Sequence, residues 1–530
     1  MSIRATTANR APVLRDPRLV GDGGGRGSAR AGPRGEILFL FAVGLMSPFG
    51  LGACFGVKFT GSGAGGSGGT GGGTPAECIP STNADPVSDE CGIFVGGELA
   101  TNDSPGTKAA PVATLGHALQ IAGTLRIYAC AQEFAEAVQV PAGIEIYGGL
   151  DCATFAYVEG QKTTIAPAPE LVPLTLLRGT GARIEGVVAK AADAMTAGGS
   201  SIAVLAQEGA EATLASCEIH AGEGAPGQPG ATIAGRASDG VGGISGNVGC
   251  QSTRLVPGGE AQVNGDCPTS VGGAGGPGGI SEGFNGASGQ PGEVPGGTGQ
   301  TVVNECNDGD DGADGNDGID GLGATGIGTI SDAGYAGIAG FDGKTPGSPG
   351  RGGGGGGGGR GAAFNCESYA GPSGGSGASG GCGGAVGGGG GPGGSSIGIL
   401  MHHATVALFD VAITTATGGA GGPGGDGQPG GFGGPFGGIP GDVGACSGGK
   451  GGKGGWGGAG GGGLGGHSIG IAFRGIAPMA TAVTIAGGNG GAGGVGVGNA
   501  ASSFGEDGQT CNTLNVDEAE TCSSGARRGD

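Results

Sequence analysis

Little in this chain can build a conventional core or a conventional active site. Aromatic residues make up 4% of 530 positions, with one tryptophan and five histidines. Only 13% of residues are charged, and they lean acidic, to a formal net charge of -21. That balance lacks the basic footprint that nucleic-acid binding needs. It suits a soluble, self-repelling surface instead. The 14 cysteines include no Cys-x-x-Cys, which argues against structural zinc, a thioredoxin-type site and c-type haem. No nucleophile motif, P-loop or Rossmann fingerprint occurs in context. An isolated Gly-x-Gly-x-x-Gly carries no weight in a chain with 144 glycines.

What is abundant is glycine, and it is unevenly placed. Glycine buries no side chain and loses the most entropy on ordering. A core therefore has to come from the apolar residues, which gather in about 78–220 and in two short later islands. Those islands repeat an earlier pattern. Residues 198–205, 393–400 and 465–472 read Gly-Gly-Ser-Ser-Ile-Ala-Val-Leu, Gly-Gly-Ser-Ser-Ile-Gly-Ile-Leu and Gly-Gly-His-Ser-Ile-Gly-Ile-Ala. Each precedes a second apolar run, ending at Ile219, Ile413 and Ile485, at spacings of 17, 16 and 16 residues. Fixed internal spacing with variable excursions is the mark of a repeat architecture. Alternation puts Ile202 with Val204, Ile397 with Ile399, and Ile469 with Ile471 on inward faces.

Residues 37–51 form a short apolar run behind an arginine-rich stretch, broken by Gly44, Pro48 and Gly50. This reads as a secretory h-region. It ends in Leu51-Gly52-Ala53-Cys54, which resembles the lipobox of bacterial lipoproteins, although the preceding region is unusually long. The resemblance implies removal of a signal peptide (1–53) and export. It also implies lipid attachment at Cys54 and anchoring in the cell-envelope membrane, with the folded part exposed at the surface. The Gly/Ser-rich residues 54–76 then serve as a flexible tether.

An exported chain permits disulfides. Aligning the repeats places Cys217 where Val411 and Val483 sit, so Cys217 is expected to be a buried free thiol. Local pairing would join Cys78 to Cys91, Cys130 to Cys152, Cys250 to Cys267, Cys366 to Cys382 and Cys511 to Cys522, leaving Cys306 with Cys446. Sequence alone does not fix that connectivity.

Within 92–149, Ile93-Phe94-Val95 reads as a strand, 102–107 as a turn and Pro111 to Leu119 as a short helix. Arg126 to Cys130, Phe134 to Val140 and Ile144 to Tyr147 read as further strands. This order, with Tyr128-Ala129-Cys130, Glu133-Phe134 and Ile146-Tyr147-Gly148-Gly149, resembles the N-terminal cap and first coil of the pectate-lyase-like superfamily. The expected fold class is therefore all-β. It would be a right-handed parallel β-helix, a solenoid with an N-terminal cap helix and long glycine-rich insertions. Its cap and first coils would occupy 77–220, and later coils 394–417 and 465–486. The insertions would occupy 221–393 and 418–464, with a glycine-rich tail at 487–530.

The glycine-rich tracts resemble the PGRS repeats of mycobacterial PE-PGRS proteins in composition, without the PE hairpin. Such tracts can stay disordered. Alternatively, they can pack as polyglycine-II-like bundles of three-residue helices. Residues 308–322 are five Asp-Gly-x triplets. Asp308, Asp311, Asp314, Asp317 and Asp320 would share one edge, about 9 Å apart. They are either calcium ligands or a solvated acidic edge.

The best enzymatic candidate is His402, His403, Asp410 and Arg474, whose residue types recur elsewhere without catalytic meaning. Trp456, among Lys450 and Lys453, can stack on a sugar or serve as a packing anchor. The sequence thus favours a structural or adhesive cell-envelope lipoprotein presenting glycine-rich loops. Its partners would be membrane lipid through Cys54 and an envelope polysaccharide or surface protein. The alternative is a carbohydrate-binding or carbohydrate-cleaving protein.

Overall fold

The computed structural model describes residues 78–518 and Cys522, apart from 83–85, 124–125, 365, 367, 440–443 and 498–500. The segments expected to be a signal peptide and a tether, with Cys54, lie outside the described residues. No described helix is long and apolar enough to cross a membrane.

Two disulfides, Cys78–Cys91 and Cys130–Cys152, close the N-terminal end. Between them Phe94 stacks on Tyr128, and Tyr128 on Tyr147, in a buried cluster. Strand β1 (Gly92–Val95) leads to the one α-helix described, α1 (Leu115–Ile121). This helix starts later than its sequence suggests. Thr114 accepts the His117 N–H as N-cap, and the Glu136 carboxylate takes the Leu115 and Gly116 N–H groups at 2.7 and 2.9 Å. Those contacts satisfy amides that a helix start leaves free.

The chain then runs through β2 (Arg126–Cys130), β3 (Glu133–Phe134), β4 (Val138–Val140), β5 (Glu145–Leu150) and β6 (Thr163–Ile165). It continues through β7 (Leu174–Leu176), β8 (Gly179–Glu185), β9 (Val187–Lys190), β10 (Ser201–Ala206) and β11 (Ala210–His220). The first insertion holds two small antiparallel pairs, β12 (Gln262–Val263) with β13 (Val271–Gly272), and β14 (Thr329–Ser331) with β15 (Gly334–Ala336). Strands β16 (Ser396–His402), β17 (Thr405–Thr414), β18 (Ser468–Arg474), β19 (Met479–Ala486) and β20 (Thr510–Asn515) complete the order.

All the longer strands pair in parallel, in one ten-stranded and one six-stranded sheet. The recurring isoleucines are register partners, Ile202 with Ile397 and Ile469, and Ile219 with Ile413 and Ile485. The larger sheet is bent. Its β11 pairs through Ala210–Ala215 with β8 and through Glu218–His220 with β9. The bend falls at Ser216, which has φ +46°, and the equivalent Asp410 and Ala482 have φ +53° and +54°. Three successive strands thus turn through the left-handed region at the same level, an uncommon conformation outside glycine.

Ile146, Ile184, Leu214 and Leu408 from the large sheet meet Leu174, Val204, Ile399 and Ile471 from the small one in the intersheet core. The expected alternation fails in β10, β16 and β18. Val204, Ile399 and Ile471 face this core, whereas Ile202, Ile397 and Ile469 belong to a second cluster with Leu205, Leu400 and Leu514. Ile330 of the β14–β15 hairpin completes that cluster. The small sheet is therefore covered on both sides, which is how parallel sheets are normally found.

The expected right-handed parallel β-helix, a solenoid of like coils with passive insertions, is corrected. The strands form a half-barrel-like pair of parallel sheets with unequal, branched pairing. More of the chain lies outside the strands, in glycine-rich segments hydrogen-bonded to one another. Glycines 352–359 form the clearest case, eight consecutive buried residues. Their N–H groups donate in rotation to three segments. Gly352, Gly355 and Gly358 bond to Gln290, Ala287 and Phe284; Gly353, Gly356 and Gly359 to Ala378, Gly375 and Pro372; Gly354 and Gly357 to Asp310 and Asn307. Their carbonyls accept from three more segments, at Gly273, Gly276 and Gly279, at Gly449 and Cys446, and at Gly297 and Gln300. A three-residue period sends successive residues to directions a third of a turn apart. One segment is thereby enclosed by six.

Cysteine and serine side chains fix this packing. The local pairs expected for four cysteines are replaced by Cys250–Cys366 and Cys267–Cys382, each joining distant segments. Cys306–Cys446 and Cys511–Cys522 are paired as expected, and Cys217 is buried and free. Ser373, Ser376 and Ser379 are fully buried, and their hydroxyls accept the Asn247, Ile244 and Val241 N–H groups at 2.8 Å.

A Cβ at Gly356 would collide with the Cys446 carbonyl. Gly356→Ala should therefore cost about 3 kcal/mol or more in a denaturant titration. At Gly265 a Cβ meets nothing within 4 Å. Gly265→Ala should be neutral or stabilising by up to about 1 kcal/mol. Equal tolerance at both positions would contradict the enclosed central segment.

Candidate functional site

The clearest convergence of chemistry-bearing side chains lies where the β14–β15 hairpin meets the sheets. Glu208 sits in the turn between β10 and β11, His402 ends β16, and Asp332 is at the hairpin tip. His402 Nδ1 lies 2.7 Å from Asp332 Oδ1, and the Glu208 N–H donates to the same oxygen at 2.8 Å. The His402 hydrogen bond holds the Asp332 carboxyl below its ordinary range. One ligand atom from each of Glu208, Asp332 and His402 lies within 4.8 Å of the others. Asp332 and Glu208 carried no motif in the sequence. Only the fold joins positions 70 and 194 residues from His402.

The enzymatic candidate expected from sequence divides among separate partners. His402 joins Asp332, whereas Arg474 Nε bonds to Asp517 at 2.8 Å. Asp410, at the bend, accepts from the Ser216 hydroxyl at 3.1 Å. His403 takes φ +46° as the chain turns from β16 into β17. His402 and Arg474 are register partners, so successive strands offer a base-bearing side chain to an acidic partner at one level.

The Asp308 to Asp320 ladder has a structural job. Oδ1 of Asp308, Asp311, Asp314, Asp317 and Asp320 accepts the N–H of Ser447, Lys450, Lys453, Trp456 and Ala459, at 2.6 to 2.8 Å. The glycine after each aspartate donates to the carbonyl of the same partner. Each Asp-Gly-x triplet therefore makes a two-point clamp on the neighbouring segment. The second carboxylate oxygens leave an acidic edge.

Beside that edge stand Lys450, Lys453 and Trp456, and next to them Phe436 and Phe432. Lys450 lies 6.0 Å from the Phe436 ring centre, while Lys453 and Arg236 lie 6.0 and 3.8 Å from Phe432. Trp456 is 55% exposed. One hollow against it is lined by Thr232, Ile233, Arg236, Asp426 and Pro429, and a second by Asp317, Asp320, Asp426 and Val497.

No family model matches the chain, and neither a curated protein nor a solved structure matches it.

Two variants test these contacts. Asp314→Ala should cost about 1 kcal/mol, whereas Asp314→Asn, which keeps an acceptor oxygen, should cost less. His467 lies buried under the hairpin, with the Tyr335 ring edge-on at 5.9 Å. Burial pushes it down to about 4, with the Ile327 carbonyl acting the other way. The unfolded chain therefore binds the extra proton below its ordinary value. This group's contribution is complete above pH 6.5 and is lost as pH falls to about 4. The full loss is on the order of 3 kcal/mol. His467→Gln should flatten stability across that window in denaturant titrations at stepped pH, and an unchanged slope would contradict it.

Proposed function

We propose that the chain is a structural or adhesive protein of the cell envelope, exported and held to membrane lipid through Cys54. It would carry its rigid glycine-rich face outward. The observation that carries this reading is the fixed array of exposed side chains on that face. Asp308 to Asp320, Lys450 to Trp456, and Phe432 with Phe436 stand on adjacent segments at three- or four-residue steps. A surface of that kind suits repeated weak contacts with an extended partner, whose avidity grows without any one deep pocket. The six disulfides among the described residues suit an oxidising compartment.

A carbohydrate-binding reading is favoured by one feature, Trp456. A half-exposed indole can stack on a sugar face, while Asp426, Arg236 and Thr232 in the adjoining hollow offer hydroxyl partners. An extended envelope polysaccharide would satisfy both readings.

Cys54→Ala should move the protein from the membrane fraction into unprocessed or soluble material. Normal acylation of that variant would overturn the anchor. Against a panel of insoluble polysaccharides, Trp456→Ala should reduce retention roughly tenfold, the scale of 1–2 kcal/mol from one lost stacking contact. Unaltered retention would remove the sugar reading and leave protein adhesion.

A further inference from the structure

We propose that Glu208, Asp332 and His402 bind one divalent transition-metal ion of the zinc class, which ties the first glycine-rich insertion to the sheets. The three ligands come from three separate elements. His402 stands at the end of β16, whose apolar side chains are buried on both faces. Glu208 sits in the β10–β11 turn, where the Gly209 N–H donates to the His403 carbonyl at 3.1 Å. Asp332 tips a hairpin anchored by buried Ile330 and by the Tyr335 hydroxyl bonding to the Ile327 carbonyl at 2.6 Å. The backbones that carry the ligands are thus fixed before any ion arrives, which is what a selective site requires.

One imidazole with two carboxylates is a ligand set for zinc, cobalt, nickel, iron or manganese. Calcium and magnesium prefer oxygen ligands throughout. Bonds of about 2.0–2.2 Å to a tetrahedral ion put ligand atoms roughly 3.4 Å apart. His402 Nδ1 and Asp332 Oδ1, now 2.7 Å apart, would open slightly around the ion. The Glu208 side chain would swing in. Its present partner, Arg178 at 3.5 Å, is an exposed pair of the weak kind. On metal binding, His402 gives its Nδ1 lone pair to the ion, and any proton there leaves to solvent. The competing arrangement is a plain His402–Asp332 ion pair, the counterpart of Arg474–Asp517 one strand over.

The test uses the exported chain with all disulfides and no histidine tag, stripped with EDTA. Equilibrium dialysis with Zn2+ should give one ion per chain. Zn2+ should raise the melting temperature, and Co2+ should give a visible ligand-field spectrum. Asp332→Asn and His402→Gln should each weaken Zn2+ binding at least tenfold, and Glu208→Gln less. Asp332 is well exposed, so its variant should melt like the parent in EDTA. The triple variant Asp311→Asn, Asp314→Asn, Asp317→Asn should keep the zinc response, separating this site from the acidic ladder. Absence of stoichiometric binding in the parent chain would overturn the proposal. So would binding that survives Asp332→Asn together with His402→Gln.

Discussion

Close backbone approach between segments that lack Cβ atoms is the constraint on which the rest depends. In the central 352–359 segment, every residue has a carbonyl of some neighbour where a side chain would begin. Each amide is instead matched to a partner segment. Residues with a three-fold period can bond to six neighbours in either direction. Segment 372–378 runs antiparallel to the central one, and 273–279 runs parallel. The gain per hydrogen bond is modest, about 1 kcal/mol, but an unmade buried one costs more. Ordering so much glycine is entropically expensive. The packing therefore holds as a set, or fails as one.

The sheets supply the boundary conditions for that set. Glycine segments deliver the chain to strands β16 and β18 at their N-terminal ends, where the Ser395 hydroxyl accepts the His467 N–H at 2.9 Å. Strands β11, β17 and β19 stack in register, so the segments leaving their C-terminal ends start at matched heights. Disulfides Cys250–Cys366, Cys267–Cys382 and Cys306–Cys446 close sequence separations of 116, 115 and 140 residues. Cross-links over loops that long restrict the unfolded chain most. The hairpin at 329–336 returns the insertion to the sheet, and its burial of Ile330 creates the setting for Asp332.

The repeated Gly-Gly-x-Ser-Ile pattern made the strand register legible, and spacings that agree to within one residue predicted which isoleucines pair. Cys217 was legible as a core thiol because Val411 and Val483 fill its place on neighbouring strands. The overall class was misjudged because glycine has no side chain to reveal where it packs. Its partners are amides, which every residue carries. The same blindness hid the serine ladder at 373, 376 and 379, although its three-residue period stands in the sequence. It also made local cysteine pairs look natural where the chain in fact folds back over more than a hundred residues. The acidic triplets were visible as a pattern, but their role as backbone clamps depends on residues 139 positions away. Glu208 and Asp332 gave no signal, since their nearness to His402 comes from hairpin docking alone.

Amide hydrogen exchange across 352–359 tests the central claim most directly. The account predicts protection at all eight glycines comparable to that of the β10 and β16 amides in the same molecule. Exchange of those glycines at the rate of an unstructured chain, while β10 and β16 stay protected, would contradict it.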